Sequence, residues 1–140
     1  MSTRSIQQGE RGAAAVEFAI LLPLFILFVW GAIEFGTAFY TKEILTNATR
    51  EGARAGIVQQ IPKLTQAQIQ TIVQTYVASA GLQTASRLNT TAAGAGGAFP
   101  TALTVTSTYQ YQAFPIVSMI SAGMVPNQIT LTASTVMRHE

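Results

Sequence analysis

GAAAVEFAILLPLFILFVWGAI, residues Gly12 to Ile33, is the stretch whose reading decides the fold. It carries a single charge, Glu17, and from Phe18 to Ile33 it carries none. A helix rises ~1.5 Å per residue, so about 20 such residues cross a hydrocarbon layer of roughly 30 Å. The segment therefore reads as one membrane-spanning helix. Arg4 and Arg11, opposed only by Glu10, precede it, whereas Glu34 follows it. This excess of arginine places the N-terminus in the cytoplasm and the residues beyond Gly36 outside. Pro23 lies inside the run, where it removes a backbone donor and predicts a kink near Ala19 to Pro23. Trp30 and Tyr40 fall at the outer boundary, where amphipathic rings favour the interface.

Three readings of this segment are open on the residues alone. As a secretory signal it has the small-x-small triplet Gly36-Thr37-Ala38, cleavage after which would leave Phe39 as the new terminus. As an uncleaved anchor, it would present a partner-binding domain in the periplasm. The third reading starts from Glu17. An acid inside an apolar segment is costly, less so near the helix end, and points to a functional role. At the headgroup level it also favours the positive end of the helix dipole. A cut between Gly12 and Ala13 would put a new ammonium one turn from the Glu17 carboxylate. In a helical assembly, the carboxylate of one subunit would then neutralise the amine of its neighbour, and the pairing would offset the burial of both charges.

The 140 residues leave roughly 100 outside the apolar segment, enough for one small domain. Eight Lys and Arg stand against six acids, all glutamates, and they form no basic stripe of the kind that grips nucleic acid. Charged residues make up 10% of the chain, so the outer part has a polar but weakly charged surface suited to self-association. Without cysteine there is no disulfide framework and no thiol chemistry. A single histidine, His139, and no aspartate leave nothing from which to assemble a nucleophile, a base and an orienting group. His139 is next to last and reads as solvated. No Glu/His cluster has metal-ligand spacing. The expectation is a non-enzyme with no cofactor, no metal, no nucleic-acid partner and no small-molecule substrate.

From Phe35 to about Gln60 nothing breaks a helix until Pro62, so the membrane helix is expected to continue outward. At 100° per residue, Glu43, Asn47, Arg50, Glu51 and Arg54 fall within roughly a third of the circumference. Ala48, Gly52 and Gly56 form a small-residue stripe on the opposite side, with Leu45 beside it. That stripe receives either the chain's own C-terminal sheet or another subunit. Glu51 and Arg54, at i and i+3, are spaced to pair on the polar face.

Thr65 with Gln68 forms a capping box for a second helix, in which Ile69, Ile72, Val73, Tyr76, Val77 and Ala80 take the spacing of one buried face. Gly81 ends it. Residues 84 to 98 read as a loop or linker, and their glycines lack the frame of a phosphate-binding loop. Leu103, Val105, Tyr109 and Tyr111 alternate with Thr and Gln as in a half-buried strand, and so do Ile129, Leu131, Ala133 and Met137. Between these strands IVSMISAGMV, residues 116–125, is too short to cross a bilayer and reads as a packed helix, a strand or a surface that meets a partner. The expected class is α+β. A long N-terminal transmembrane helix continues beyond the membrane and packs with a second helix and a small antiparallel sheet. The expected boundaries are a leader at 1–12, a transmembrane helix at 13–38, its continuation at 39–61 and the α+β domain at 62–140.

Gly12-Ala-Ala-Ala-Val-Glu17-Phe18 resembles the cleavage motif of type IV prepilins, a glycine with an acid at the fifth mature position. More narrowly, RGAAAVEFAILLP and IEFGTAFYTKEILTNATREGARAG, between Arg11 and Gly56, resemble the TadE-like family of minor pseudopilins of tight-adherence (Flp-type) pilus systems. The resemblance takes in Pro23, Glu34, Leu45 to Ala48 and Arg50 to Arg54, and the closing Ser134 to Arg138 with Glu140 resembles the family's C-terminal end. Ala13 is smaller than the bulky apolar residue that begins many mature pilins. The resemblance implies cleavage after Gly12 by an inner-membrane prepilin peptidase, with Glu17 and Phe18 serving processing or assembly. It makes Glu34, Asn47, Arg50, Glu51 and Arg54 a candidate partner surface. The implied partners are membrane lipid, the peptidase, other pilins and the pilus assembly complex. The implied place is the bacterial inner membrane, with association to the pilus or cell surface, and the implied role is surface attachment and biofilm formation.

Overall fold

A computed structural model of the chain describes residues 3–58, 61–84, 86–113 and 127–139, with side chains in the first helix from residue 12 onward. In chain order the elements are α1 (Thr3–Ile57), α2 (Gln66–Ser79), β1 (Leu88–Ala93), β2 (Ala102–Gln112) and β3 (Gln128–Arg138). The class is α+β, as the apolar helix, the capped helix and the alternating strands predict. The chain divides into two units, Met1–Gly36 and Thr37–Glu140.

The first unit is the opening part of α1, and Pro23 sits inside it. Every side chain from Gly12 to Val29 is exposed, and Phe28 reaches 74%. A helix apolar all round needs an apolar surrounding, which this unit does not supply for itself. From Gly12 onward α1 contains a stretch long and apolar enough to cross a membrane.

In the second unit the rest of α1 and α2 contribute to one core over a three-stranded antiparallel sheet of order β1-β2-β3. Leu45 and Ala48 of α1, Ile69, Val73 and Val77 of α2, and Leu103 and Val105 of β2 are fully buried. Burying a Leu, Ile or Val side chain contributes about 1.5–3 kcal/mol, so a handful of residues dominates this small core. The cap of α2 forms as its sequence demands: Gln68 N–H donates to Thr65 Oγ1 and Thr65 N–H to Gln68 Oε1. Gly81 follows at φ +82°, a conformation that glycine adopts without Cβ strain.

The strands follow the period of two. Leu103, Val105, Ser107 and Tyr109 turn inward from β2, opposite Met137, Thr135, Ala133 and Leu131 of β3. The other face displays Thr104, Thr106 and Thr108 beside Thr132 and Ser134.

Three readings from sequence need correction. The segment 84–98 is not all loop, because β1 occupies Leu88–Ala93 within it and pairs with β2. Its inward residues are small, Thr90 and Ala92, and the Thr90 hydroxyl lies 2.8 Å from that of Ser107. Nor is His139 solvated: it is 1% exposed, since its N–H extends the β3 ladder to Thr101 O and its Nε2 lies 2.9 Å from Gly94 O. On α2, Ile72 is half-buried and Tyr76 is 38% exposed, and Ala80, just past its end, is half-buried, so the buried face narrows to Ile69, Val73 and Val77. The apolar stretch 116–125 lies outside the described residues.

Candidate functional site

Gly12, Ala13, Glu17 and Phe18 all lie on α1, and all four are exposed. Ala13 and Glu17 are four residues apart, so on the helix they share a face one turn apart. A Cβ placed on Gly12 would meet nothing within 4 Å. Among the described residues Glu17 has no ion-pair partner.

The small-residue stripe has a different setting. Ala48, Gly52 and Gly56 are all buried. A Cβ on Gly52 would come within 2.6 Å of Val73 Cγ2, and one on Gly56 within 2.5 Å of Leu103 Cδ2 and 2.8 Å of Ile69 Cδ1. The stripe lets α1 close onto α2 and β2 of the same chain, so both α2 and the sheet fill the place that the sequence left open between sheet and neighbour. Beside it, the hydroxyls of Thr49 and Thr135 lie 3.0 Å apart and tie α1 to β3.

On the opposite side Glu43, Asn47, Arg50 and Arg54 are exposed and Glu51 is half-buried. Glu51 and Arg54 form a two-pronged pair, with Arg54 Nη2 donating to Oε1 at 2.8 Å and Nε to Oε2 at 3.1 Å. The hydrogen bonds from Arg54 hold the Glu51 carboxyl below its ordinary range, and the same bonds raise Arg54. Glu34 belongs to the first unit. Next to Glu51, a shallow cleft of about 370 Å³ runs along α2, lined by Thr71, Ile72, Thr75, Tyr76 and Ser79. The sequence reading assigned Ile72 and Tyr76 to the core. Their place on α2, one position back from Val73 and Val77, was the signal that they lie at the border of its buried face.

A second cleft, of about 240 Å³, lies between Thr41, Gln83, Arg87, Tyr111 and Gln112, where Arg87 Nη2 donates to Gln112 Oε1 at 2.6 Å. It brings together no nucleophile and base. Among the described residues no three of His, Asp or Glu converge to hold a metal ion.

These features define a class: an α+β protein with an apolar N-terminal helix fit for membrane anchoring and a small folded unit without assembled catalytic groups among its described residues. Residues 12–54 match the family model described as TadE-like protein. No curated protein and no solved structure matches the chain.

Proposed function

We propose that this chain is a minor pilin or pseudopilin of a tight-adherence pilus, cut between Gly12 and Ala13 by a prepilin peptidase and carried by its apolar helix into pilus assembly. The observation that carries the reading is the family match, which begins at Gly12 and takes in Glu17. The exposed apolar surface from Val16 to Val29 supports it, because lipid or neighbouring helices would cover that surface both before and during assembly. Before the cut, residues 1–12 are a cytoplasmic leader, 13–38 the transmembrane helix, 39–61 its continuation and 62–140 the periplasmic α+β domain. Removing the leader takes away two of the eight basic residues and one of the six acids, leaving six against five before the new amine is counted. Glu17 then pairs with the Ala13 amine of a neighbouring subunit, and the polar side around Arg50, Glu51 and Arg54 faces partner proteins of the pilus complex.

Intact mass and N-terminal sequencing of the protein from membranes of a host with its own prepilin peptidase test the cut. A start at Ala13 is expected. A start at Met1 beside an active peptidase overturns the reading in favour of an uncleaved anchor, and a start at Phe39 in favour of a secreted domain. Glu17→Ala is expected to abolish processing or piliation.

A further inference from the structure

Arg87 has a setting unlike that of Arg54. Arg54 is paired with Glu51, whereas Arg87 is half-buried, its Nη2 donates to the neutral Gln112 Oε1 at 2.6 Å, and among the described residues no carboxylate pairs with it. The sequence explains why. No Asp or Glu occurs between Gly52 and His139, so α2, the three strands and the residues that join them bring Arg87 no counter-charge, wherever they run. On α1, Glu43 lies about 200° round the helix from Thr41, the α1 residue that shares a cleft with Arg87. Nor does Arg87 serve to cap the end of α2, where the carbonyls of Tyr76, Val77 and Ala78 already accept from the N–H groups of Ala80, Leu82 and Gly81.

The cleft holds about 240 Å³, less than the roughly 300–1,000 Å³ of a pocket for a drug-sized ligand, and suits a single small group. The hydroxyl-bearing Thr41, Tyr109 and Tyr111 and the amide-bearing Gln83 and Gln112 line it with Arg87. Such a lining offers hydrogen bonds and sets no negative charge against an anion. A guanidinium presents five N–H donors in a planar fork that matches two oxygens of an oxyanion. Gln112 takes one of them and steadies the fork, and the rest are left for a ligand.

Position along the chain selects the oxyanion. Thr41 follows residue 38, the end of the membrane-spanning range, by a rise of ~4.5 Å. The headgroup layer adds about 5–7 Å on each side of the hydrocarbon, so Thr41 falls within it. Phe39 and Tyr40 are 58% and 63% exposed, and aromatic rings favour that depth.

We propose that the Arg87 cleft binds a phosphate group, and that this phosphate is the headgroup of a membrane phospholipid, which ties this end of the folded unit to the membrane surface. The phosphate site stands on the cleft alone, while its lipid source rests on the reading of residues 13–38 as the membrane helix.

The test uses the full chain, labelled with ¹⁵N, in dodecyl maltoside micelles, which contain no phosphate. The probes are dihexanoyl phosphatidylglycerol, inorganic phosphate and dihexanoyl glycerol, at an ionic strength fixed with sodium chloride. The readout is the amide resonance of Gly81, which also lines the cleft and is present in every variant. A saturable shift is expected with phosphatidylglycerol, half-complete at a concentration at least tenfold below that for inorganic phosphate, and none with dihexanoyl glycerol. Arg87→Gln should raise the half-saturating concentration at least tenfold. Gln83→Glu, at an exposed position, keeps Arg87 but brings a carboxylate into the cleft, and should do the same should Arg87→Gln fail to fold. Arg138→Gln removes an equal charge at the other end of β2 and should change it less than twofold. No saturable shift with either phosphate probe, an equal shift with dihexanoyl glycerol, or a response indifferent to both cleft variants would overturn the site. Inorganic phosphate binding as tightly as the lipid would overturn the membrane as its source. The titration does not read the cut after Gly12, so the two proposals fail separately.

Discussion

The helix α1 can be compared with itself. Up to Gly36 its large apolar residues face outward, with Leu21, Leu24 and Phe28 all 60% exposed or more, whereas Leu45, Ala48 and Ala53 are fully buried. One secondary structure thus serves two environments. From Phe18 to Ile33 the first part carries no charge and its apolar side chains need an apolar surrounding that the unit itself does not supply. The second is two-faced, with a small-residue stripe inward and Asn47, Arg50 and Arg54 outward. What distinguishes them is side-chain size and arrangement. Leu and Phe maximise apolar contact where the surrounding is fluid, while Gly and Ala let another element approach where it is solid.

The largest effect that would sharpen this contrast is expected from truncating a leucine in each part. Leu45→Ala leaves a cavity in a closed core and should lower the stability of the full chain in mild detergent by about 2–5 kcal/mol, read from denaturant unfolding. Leu24→Ala should leave that transition in place and act on membrane partition instead. Next come the glycines, with opposite signs. Gly52→Ala and Gly56→Ala put a Cβ within 2.6 and 2.5 Å of packed side chains and should destabilise by about 1–3 kcal/mol. Gly31→Ala, whose Cβ meets nothing within 4 Å, should instead increase helix content, because alanine favours a helix by up to ~1 kcal/mol over glycine. Equal signs in a thermal-melt comparison would break the contrast.

Smaller still is Thr65→Ala, which removes the cap of α2 and should cost about 1 kcal/mol in the same unfolding assay. The smallest effect belongs to the Glu51–Arg54 pair on the outward side. Arg54 holds the Glu51 carboxyl below its ordinary range, so the pair stabilises the fold above the unfolded carboxylate's titration and loses that contribution as pH falls through the depressed one. Glu51→Gln should therefore be slightly less stable than the parent at pH 7, and the gap should close in strong acid. Both side chains are substantially exposed, which keeps the difference small.

How much of this was legible in sequence depends on whether an element carries its own reason for existing. The apolar run, the Thr65–Gln68 cap and the alternation in β2 and β3 are local patterns, and each could be read directly. By contrast, β1 has the sequence LNTTAA, with small inward residues and no strong alternation of large apolar ones. It is a strand because β2 and Gln70 receive it, and neither partner is visible in those six residues. The same holds for His139, whose burial depends on Gly94 approaching from 45 residues away. At the candidate site, the spacing from Gly12 to Phe18 is visible in the sequence itself. The target of the glycine stripe is not, since a small-residue face states how close a partner comes and leaves open which partner it is.

The continuity of α1 from Thr3 to Ile57 also has a mechanical meaning. A pull applied to the apolar part travels along the helix's own hydrogen bonds and arrives in the core as shear between the stripe and the side chains of Ile69, Val73 and Leu103. No disulfide shares that load, so α1 is held there by noncovalent contacts alone: the gripped glycine stripe, the buried Leu45 and the Thr49–Thr135 pair. A substitution that loosens that grip would let the anchor slide out of the folded unit before the membrane released it.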